Sequence, residues 1–274
     1  MRTDAGRGTV PAGRSRLKSG LARLPHGGEE ASGLTVLIYH RVGGGTPDEL
    51  DTPAAAFATH LDVLAGHEVV SMDAALDRLD AGDERPTVVL TFDDGFADVH
   101  THAWPLLAER RLPFTVYPVA GSVGGTIKWE GGTAKAAGAA LSWEQLEELA
   151  ASGLCTVGNH TWSHPRPQGL TEDELDRCSD EIEARLGVRP RHFAYTWGIE
   201  VPGMRPALAT RFRSAVTGTV GRNGPDADRL ALRRVPVRAS DPIEFFRAKL
   251  SGGLVAERAY DLTVRAAKRM GLRG

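Results

Sequence analysis

The stretch "TFDDGFADVH" at 91–100 sets two carboxylates, Asp93 and Asp94, side by side directly after the apolar run "PTVVL". One aspartate is enough to cap a following helix, so a second charge at the edge of a core needs a use of its own. A second polar cluster, "GNHTWSHP" at 158–165, follows the apolar stretch "GLCTV" and carries His160 and His164, four positions apart. That spacing can bring both imidazoles onto one metal ion. Two histidines and one aspartate make a facial set with open positions, usable for zinc or for non-haem iron. An iron oxygenase of that type is expected to keep one His close to its acid and the other far along the chain. Here both His are close together and the acid lies far upstream. The extra carboxylate favours hydrolysis, because attack by water needs a base.

The elements that must carry these residues alternate. Apolar, β-branched runs at 34–40, 87–92, 114–119, 192–195, 213–218 and 233–237 read as buried strands, as does the run before the His cluster. Helical periodicity fills 54–65, 72–80, 142–153 (Ser142 as N-cap, Gly153 at the end), 242–250 and 96–112, where Pro105 should break the helix. Thr171 and Glu174 form a capping-box pattern ahead of Leu175, Cys178, Ile182 and Leu186. Val255, Ala259, Leu262, Ala266 and Met270 share the face of a last helix. Alternating strands and helices argue for an α/β fold with a parallel sheet. About seven strands suit a barrel better than an open sheet, although periodicity alone does not decide it. In either fold catalytic groups sit at the C-terminal ends of strands, and both clusters occupy that position. Gly95 permits a sharp turn after the carboxylates.

"TFDDG" and "HTWSH" resemble the first two motifs of the polysaccharide deacetylase family, carbohydrate esterase family 4. The resemblance runs from about residue 34 to about 250 and includes "LSWEQLEELAASG" and "LALRRVPV". It implies a distorted, incomplete (β/α) barrel of about seven parallel strands, and a metal-dependent deacetylase acting on an acetylated sugar or oligosaccharide. Carried over, Asp94, His160 and His164 would hold one divalent metal ion, zinc foremost, and Asp93 would be the base. The third motif departs from the family. "HFAYTWG" at 192–198 has Thr196 in place of a proline and Trp197 in place of a tyrosine. Trp197 would lend its backbone N–H to the oxyanion and wall the cleft, while the missing proline is expected to loosen the loop. Arg191, Arg233 and Arg234 are candidates for the arginine that orients the base, with Arg234 carried forward. The family's late histidine acid is absent, since no His follows His192. The resemblance to a branch with an early "YHRV" segment assigns that acid to His40. His26, His60, His67, His100, His102 and His192 are taken as surface or structural residues.

Bulk properties fit this picture. The chain has 274 residues, 41% hydrophobic and 25% charged, with a net charge of −2, which gives no argument for a nucleic-acid partner. Cys155 and Cys178 are too few for a disulfide framework. No transmembrane segment or signal-like apolar core is legible, so a cytoplasmic location is the expectation. Residues 1–33 read as a disordered tail, 34–250 as the catalytic domain, and 251–274 as a C-terminal helix packed on it. Within the tail, Leu17, Leu21 and Leu24 recur among basic residues, as in a short amphipathic segment for a membrane surface or a partner. Two rival readings stand beside the deacetylase: a non-catalytic carbohydrate- or metal-binding relative, and a hydrolase of a non-sugar amide or ester.

Overall fold

Seven short strands form the frame: β1 (Leu34–Tyr39), β2 (Thr87–Asp94), β3 (Phe114–Pro118), β4 (Cys155–Val157), β5 (His192–Ala194), β6 (Ser214–Val220) and β7 (Leu232–Pro236). All pair in parallel, in the spatial order β4–β3–β2–β1–β7–β6–β5. The sheet therefore runs round in chain order, and its two edges are the consecutive strands β4 and β5. One isolated bridge, from Asn159 to Phe193, crosses that gap. This is the incomplete (β/α) barrel that the family resemblance implied, with its seam between β4 and β5. The computed structural model describes residues 12–23, 32–129, 136–251 and 254–269.

The helices among those residues are α1 (Ala12–Leu21), α2 (Ala54–Leu64), α3 (Met72–Asp80), α4 (Trp104–Glu109), α5 (Trp143–Ala151), α6 (Glu172–Leu186), α7 (Arg205–Arg211), α8 (Ile243–Leu250) and α9 (Val255–Arg269). Successive strand residues point to opposite faces, and the two faces meet different neighbours. Leu37, Tyr39, Leu90, Phe92, Phe114 and Val116 pack outward against Phe57, Leu61, Leu107, Leu146, Leu149 and Phe246 of the surrounding helices. Val36, Val89, Tyr117, Val216 and Leu232 form the inner set, joined by Met72, Ala75, Leu76 and Leu79 of α3. Pro105 acts as expected. A π-helical turn over Val99–Ala103 precedes it, and α4 starts anew at Trp104, where the missing proline N–H costs nothing. No helix among the described residues is long and apolar enough to cross a membrane.

The ends of the chain differ from the sequence reading. Residues 12–21 of the expected disordered tail fold as α1, because Lys18 is buried and ion-paired to Asp241 at 2.6 Å. Leu21 packs with Phe245, Ala248, Ala256 and Tyr260, whereas Leu17 is exposed and Leu24 lies outside the described residues. The last helix buries a different face from the one expected. Ala256, Glu257 and Tyr260 are inside, while Val255 and Leu262 are exposed. Ion pairs from Glu257 to Arg238 and Lys249 set that rotation. Ala266 is in a stretch whose side chains are not described, and Met270 lies outside the described residues.

His60 on α2 illustrates how tightly the outer layer is built. Its ring is stacked on Phe246 at 4.0 Å, and its Nδ1 lies 3.3 Å from the Tyr39 hydroxyl. Burial lowers its pKa from 6.5 to about 4. As pH falls below 6.5 the unfolded chain takes up a proton that the folded state refuses, so stability is lost across that window. From this residue alone the loss should approach about 3 kcal/mol by pH 4. Urea unfolding of wild type and His60→Gln at several pH values between 7 and 4 should show a shallower acid slope in the variant. Parallel slopes would mean that His60 does not carry this linkage.

Candidate active site

The site is assembled where β2 runs out. Alternation would send Asp93 and Asp94 to opposite faces of the sheet. Asp94 instead has φ of +71°, left-handed backbone that breaks the alternation, and both carboxylates come to the barrel mouth, buried. Gly95 follows at φ +81°, where a Cβ would lie 3.0 Å from Pro118 of the neighbouring strand. Only glycine suits that turn.

The histidine loop is held by side chains that hydrogen-bond to its backbone. Asn159, wholly buried, donates to the Leu175 carbonyl at 2.8 Å and to Ser179 Oγ at 2.9 Å, and its Oδ1 accepts from Thr161 N–H at 2.9 Å. Thr161 Oγ1 accepts from His164 N–H at 3.0 Å. Thr171 caps α6 as expected, but the capping box is only half made. The Glu174 carboxylate is drawn to Ser163, accepting from its N–H at 2.8 Å and its hydroxyl at 2.7 Å. Thr161, His164 and Trp197 have φ of +70°, +55° and +61°. With Asp94, four of the six left-handed non-glycine residues among the described residues therefore fall in this site, each at a cost on the order of 1–3 kcal/mol that the surrounding hydrogen bonds must offset.

Asp94, His160 and His164 offer ligand atoms that all lie within 4.8 Å of one another. Asp94 Oδ1 is 3.4 Å from His160 Nε2 and 3.6 Å from His164 Nε2. Ligands bound at about 2.0–2.2 Å in a tetrahedron stand roughly 3.4 Å apart, so the spacing fits a zinc-sized ion. His160 Nδ1 lies 2.8 Å from the Ala194 carbonyl. A carbonyl only accepts, so Nδ1 carries a proton and Nε2 is the nitrogen that faces the cluster. Burial lowers the His164 pKa to about 4, leaving it neutral as a ligand must be. For Asp94 burial acts upward, but His160, 3.4 Å away, and the neighbouring imidazoles outweigh it and hold the carboxyl below its ordinary range. Burial pushes the His160 pKa down, but Asp94 and Asp93 outweigh it and raise it, so a cation entering here would displace a proton from Nε2. The donor set and its separations suit a divalent cation.

Beside the candidate ligands, Asp93 meets Arg234 in a two-pronged pair, Nη1 to Oδ1 and Nη2 to Oδ2, each 2.7 Å. Burial would raise the Asp93 pKa, but the guanidinium overrides it and keeps the carboxyl ionised. Of the three candidate arginines, only Arg234 reaches Asp93. Arg191 is 60% exposed and pairs with Asp73 at 3.3 Å, and Arg233 is exposed on the other face of β7. His40 follows β1 directly, with a buried Nδ1 that has no hydrogen-bond partner, and it acts electrostatically on Asp93, Asp94 and His164. The Trp197 ring is 5.3 Å from that of His164. The loop around it is not loosened by the missing proline. The Thr196 hydroxyl and the Trp197 indole N–H both donate to the Pro165 carbonyl, at 2.9 and 3.1 Å, tying this loop to the histidine loop.

The sequence reading missed Trp129, whose ring stacks on His164 at 4.1 Å and 15°. No local pattern marks it, since the contact joins residues far apart in the chain. It also passed over Asn159, although a polar residue at the end of an apolar strand beside a candidate ligand is a signal that could have been used.

A polysaccharide deacetylase family model matches residues 80–208. YxkH of Bacillus subtilis, whose name places it among the polysaccharide deacetylases, is 25% identical over 219 residues, covering 76% of this chain and 73% of its own. The solved structure of IcaB from Ammonifex degensii is 31% identical with a TM-score of 0.68, covering 82% of this chain and 97% of that one. The Streptococcus pyogenes deacetylase PplD, solved with acetate, shares the fold at 21% identity and a TM-score of 0.67, covering 80% of this chain and 98% of its own. With motif, fold and a relative matched along nearly its whole length in agreement, the chain belongs to the polysaccharide deacetylase family, carbohydrate esterase family 4.

Proposed function

We propose that this site removes acetyl groups, N-acetyl foremost, from a glycan or a glycan-derived sugar by attack of water on the acetyl carbonyl. The chain is a deacetylase-type hydrolase by family, acting on carbon–nitrogen bonds. The observation that carries the finer reading is the division of two adjacent carboxylates, one facing two histidines and the other facing an arginine.

A divalent ion held by Asp94, His160 and His164, zinc foremost, would polarise the carbonyl and bring the pKa of water to roughly 7. Asp93 takes the proton from the attacking water. Arg234 keeps it ionised for that purpose, and each carboxylate oxygen retains a lone pair beyond the one given to the guanidinium. The Trp197 backbone N–H, presented by a left-handed turn, donates to the oxygen on which negative charge develops. A carbon–oxygen bond forms and the carbon–nitrogen bond breaks. The amine cannot leave as an amide ion, so His40 supplies it with a proton. Acetate and the free amine are the products. His40 in the early "YHRV" segment thus replaces the late histidine that this chain lacks.

Metal analysis paired with acetate release from chitooligosaccharides tests the whole reading. Asp94→Ala, His160→Ala and His164→Ala should each lose bound metal and activity together, and full metal occupancy in any of them would remove that residue from the ligand set. Asp93→Asn should keep its metal while turnover falls by about 10² or more. Loss of metal there would exchange the roles of the two aspartates. His40→Ala should keep metal and fold but lose turnover, more on an amide than on an ester with a good leaving group. Equal losses on both substrates would count against His40 as the acid.

A further inference from the structure

Trp129 has an unanswered hydrogen-bond donor in the most constrained part of the site. Its ring covers His164 at 4.1 Å and 15°, while Trp197 approaches the same imidazole at 5.3 Å. The Trp129 indole N–H is buried and has no hydrogen-bond partner among the described residues. Two other indoles have partners: Trp197 donates to the Pro165 carbonyl at 3.1 Å and Trp104 to Glu148 at 3.3 Å. A buried donor left unpaired costs about 1–3 kcal/mol, and such groups at functional sites call for an explanation.

The surroundings hold Trp129 firmly enough to make that cost purposeful. Thr126–Ile127 pairs antiparallel with Gly138–Ala139, and Trp129 packs on the cluster of Phe96, Ile127 and Ala140. Arg41 locks this unit to the catalytic strand. It donates to Asp98 at 2.7 Å and to the Ala136 carbonyl at 3.4 Å, and lies 4.6 Å over the Phe96 ring. Phe96 and Asp98 follow the Asp93–Asp94 pair in the chain, so the tryptophan and the carboxylates are positioned by one piece of structure.

We propose that Trp129 is a substrate-binding residue, its indole N–H donating to a hydroxyl oxygen of the acetylated sugar as the sugar enters over the metal ligands. An indole N–H donates and cannot accept, so it selects an oxygen with a free lone pair, which a sugar hydroxyl offers. Within a ring's width of His164, the donor fixes how the sugar is turned relative to the acetyl group. This inference rests on the deacetylase reading of the site.

Trp129→Phe keeps an aromatic ring over His164 and removes only the donor. Its metal content should stay full. KM for an N-acetylglucosamine oligomer should rise about tenfold with kcat little changed. Hydrolysis of 4-nitrophenyl acetate, which has no sugar, should be unaffected. In an Asp93→Asn background, calorimetry should show the oligomer binding about tenfold more weakly when Trp129 is also Phe. Unchanged KM and binding would overturn the proposal, as would equal losses on sugar and ester, which would place Trp129 in support of the metal ligands alone. Wild type that releases acetate from neither substrate would count against the deacetylase reading, and the calorimetric arm would still decide the role of Trp129.

Discussion

Arg234 is buried completely inside the barrel, and its guanidinium is divided between Asp93 and the backbone of the neighbouring strand. Nη1 and Nη2 hold the carboxylate, and Nε donates to the Thr217 carbonyl at 2.8 Å. A cation in such a place is costly unless every donor is answered, and these contacts join β7 to β6 and to the end of β2. The pair fixes Asp93 in position and charge together. Removing either partner would strand the other charge in the core. The same contact therefore supports the barrel interior and sets up the carboxylate proposed as the base.

Next to this pair, the seam between β4 and β5 is where the histidine loop leaves the sheet. Asn159 makes the single bridge across the gap, accepting from Ala194 N–H at 2.9 Å and donating to the His192 carbonyl at 2.8 Å. The following residue is His160, whose Nδ1 meets the Ala194 carbonyl. One short stretch thus bridges the seam and orients a candidate ligand. Gly158 just before it has no room for a side chain, because a Cβ would come within 2.4 Å of the Tyr117 ring. An incomplete barrel suits this chemistry. The strand that would fill the gap would compete with the loop for the same hydrogen bonds.

Away from the site, a second buried ionic cluster ties the chain ends together. Asp241 meets both Lys18 of α1 and Lys249 of α8, and Glu257 of α9 meets Lys249 and Arg238. Burial opposes the charge on Asp241, but the two lysines and Arg238 hold its pKa well below the usual carboxylate range. Glu49, in the loop after β1, accepts from Arg14 and from Ser240, bringing α1 against the segment that follows His40. The terminal helices are in this way part of the rim that carries the site.

Much of this was legible in the residues themselves. Asp93, Asp94, His160 and His164 stand out because their types are chemical and their spacing is local, and the β-branched runs before them mark strand ends. Other features depend on contacts that no local pattern encodes. Arg233 and Arg234 are adjacent and alike, and only the register that sets Val235 beside Leu37 turns Arg234 inward and Arg233 out. Disorder was the natural reading of a Gly- and Arg-rich beginning, because the partner that orders Lys18 lies 223 positions away. Periodicity named a face for the last helix, but ion pairs from Glu257 chose another. The stacking of Trp129 on His164 likewise arises only when two distant loops fold over one another. Local sequence determined which residues could do chemistry and where strands would end; register, burial and long-range charge pairing decided which of them meet.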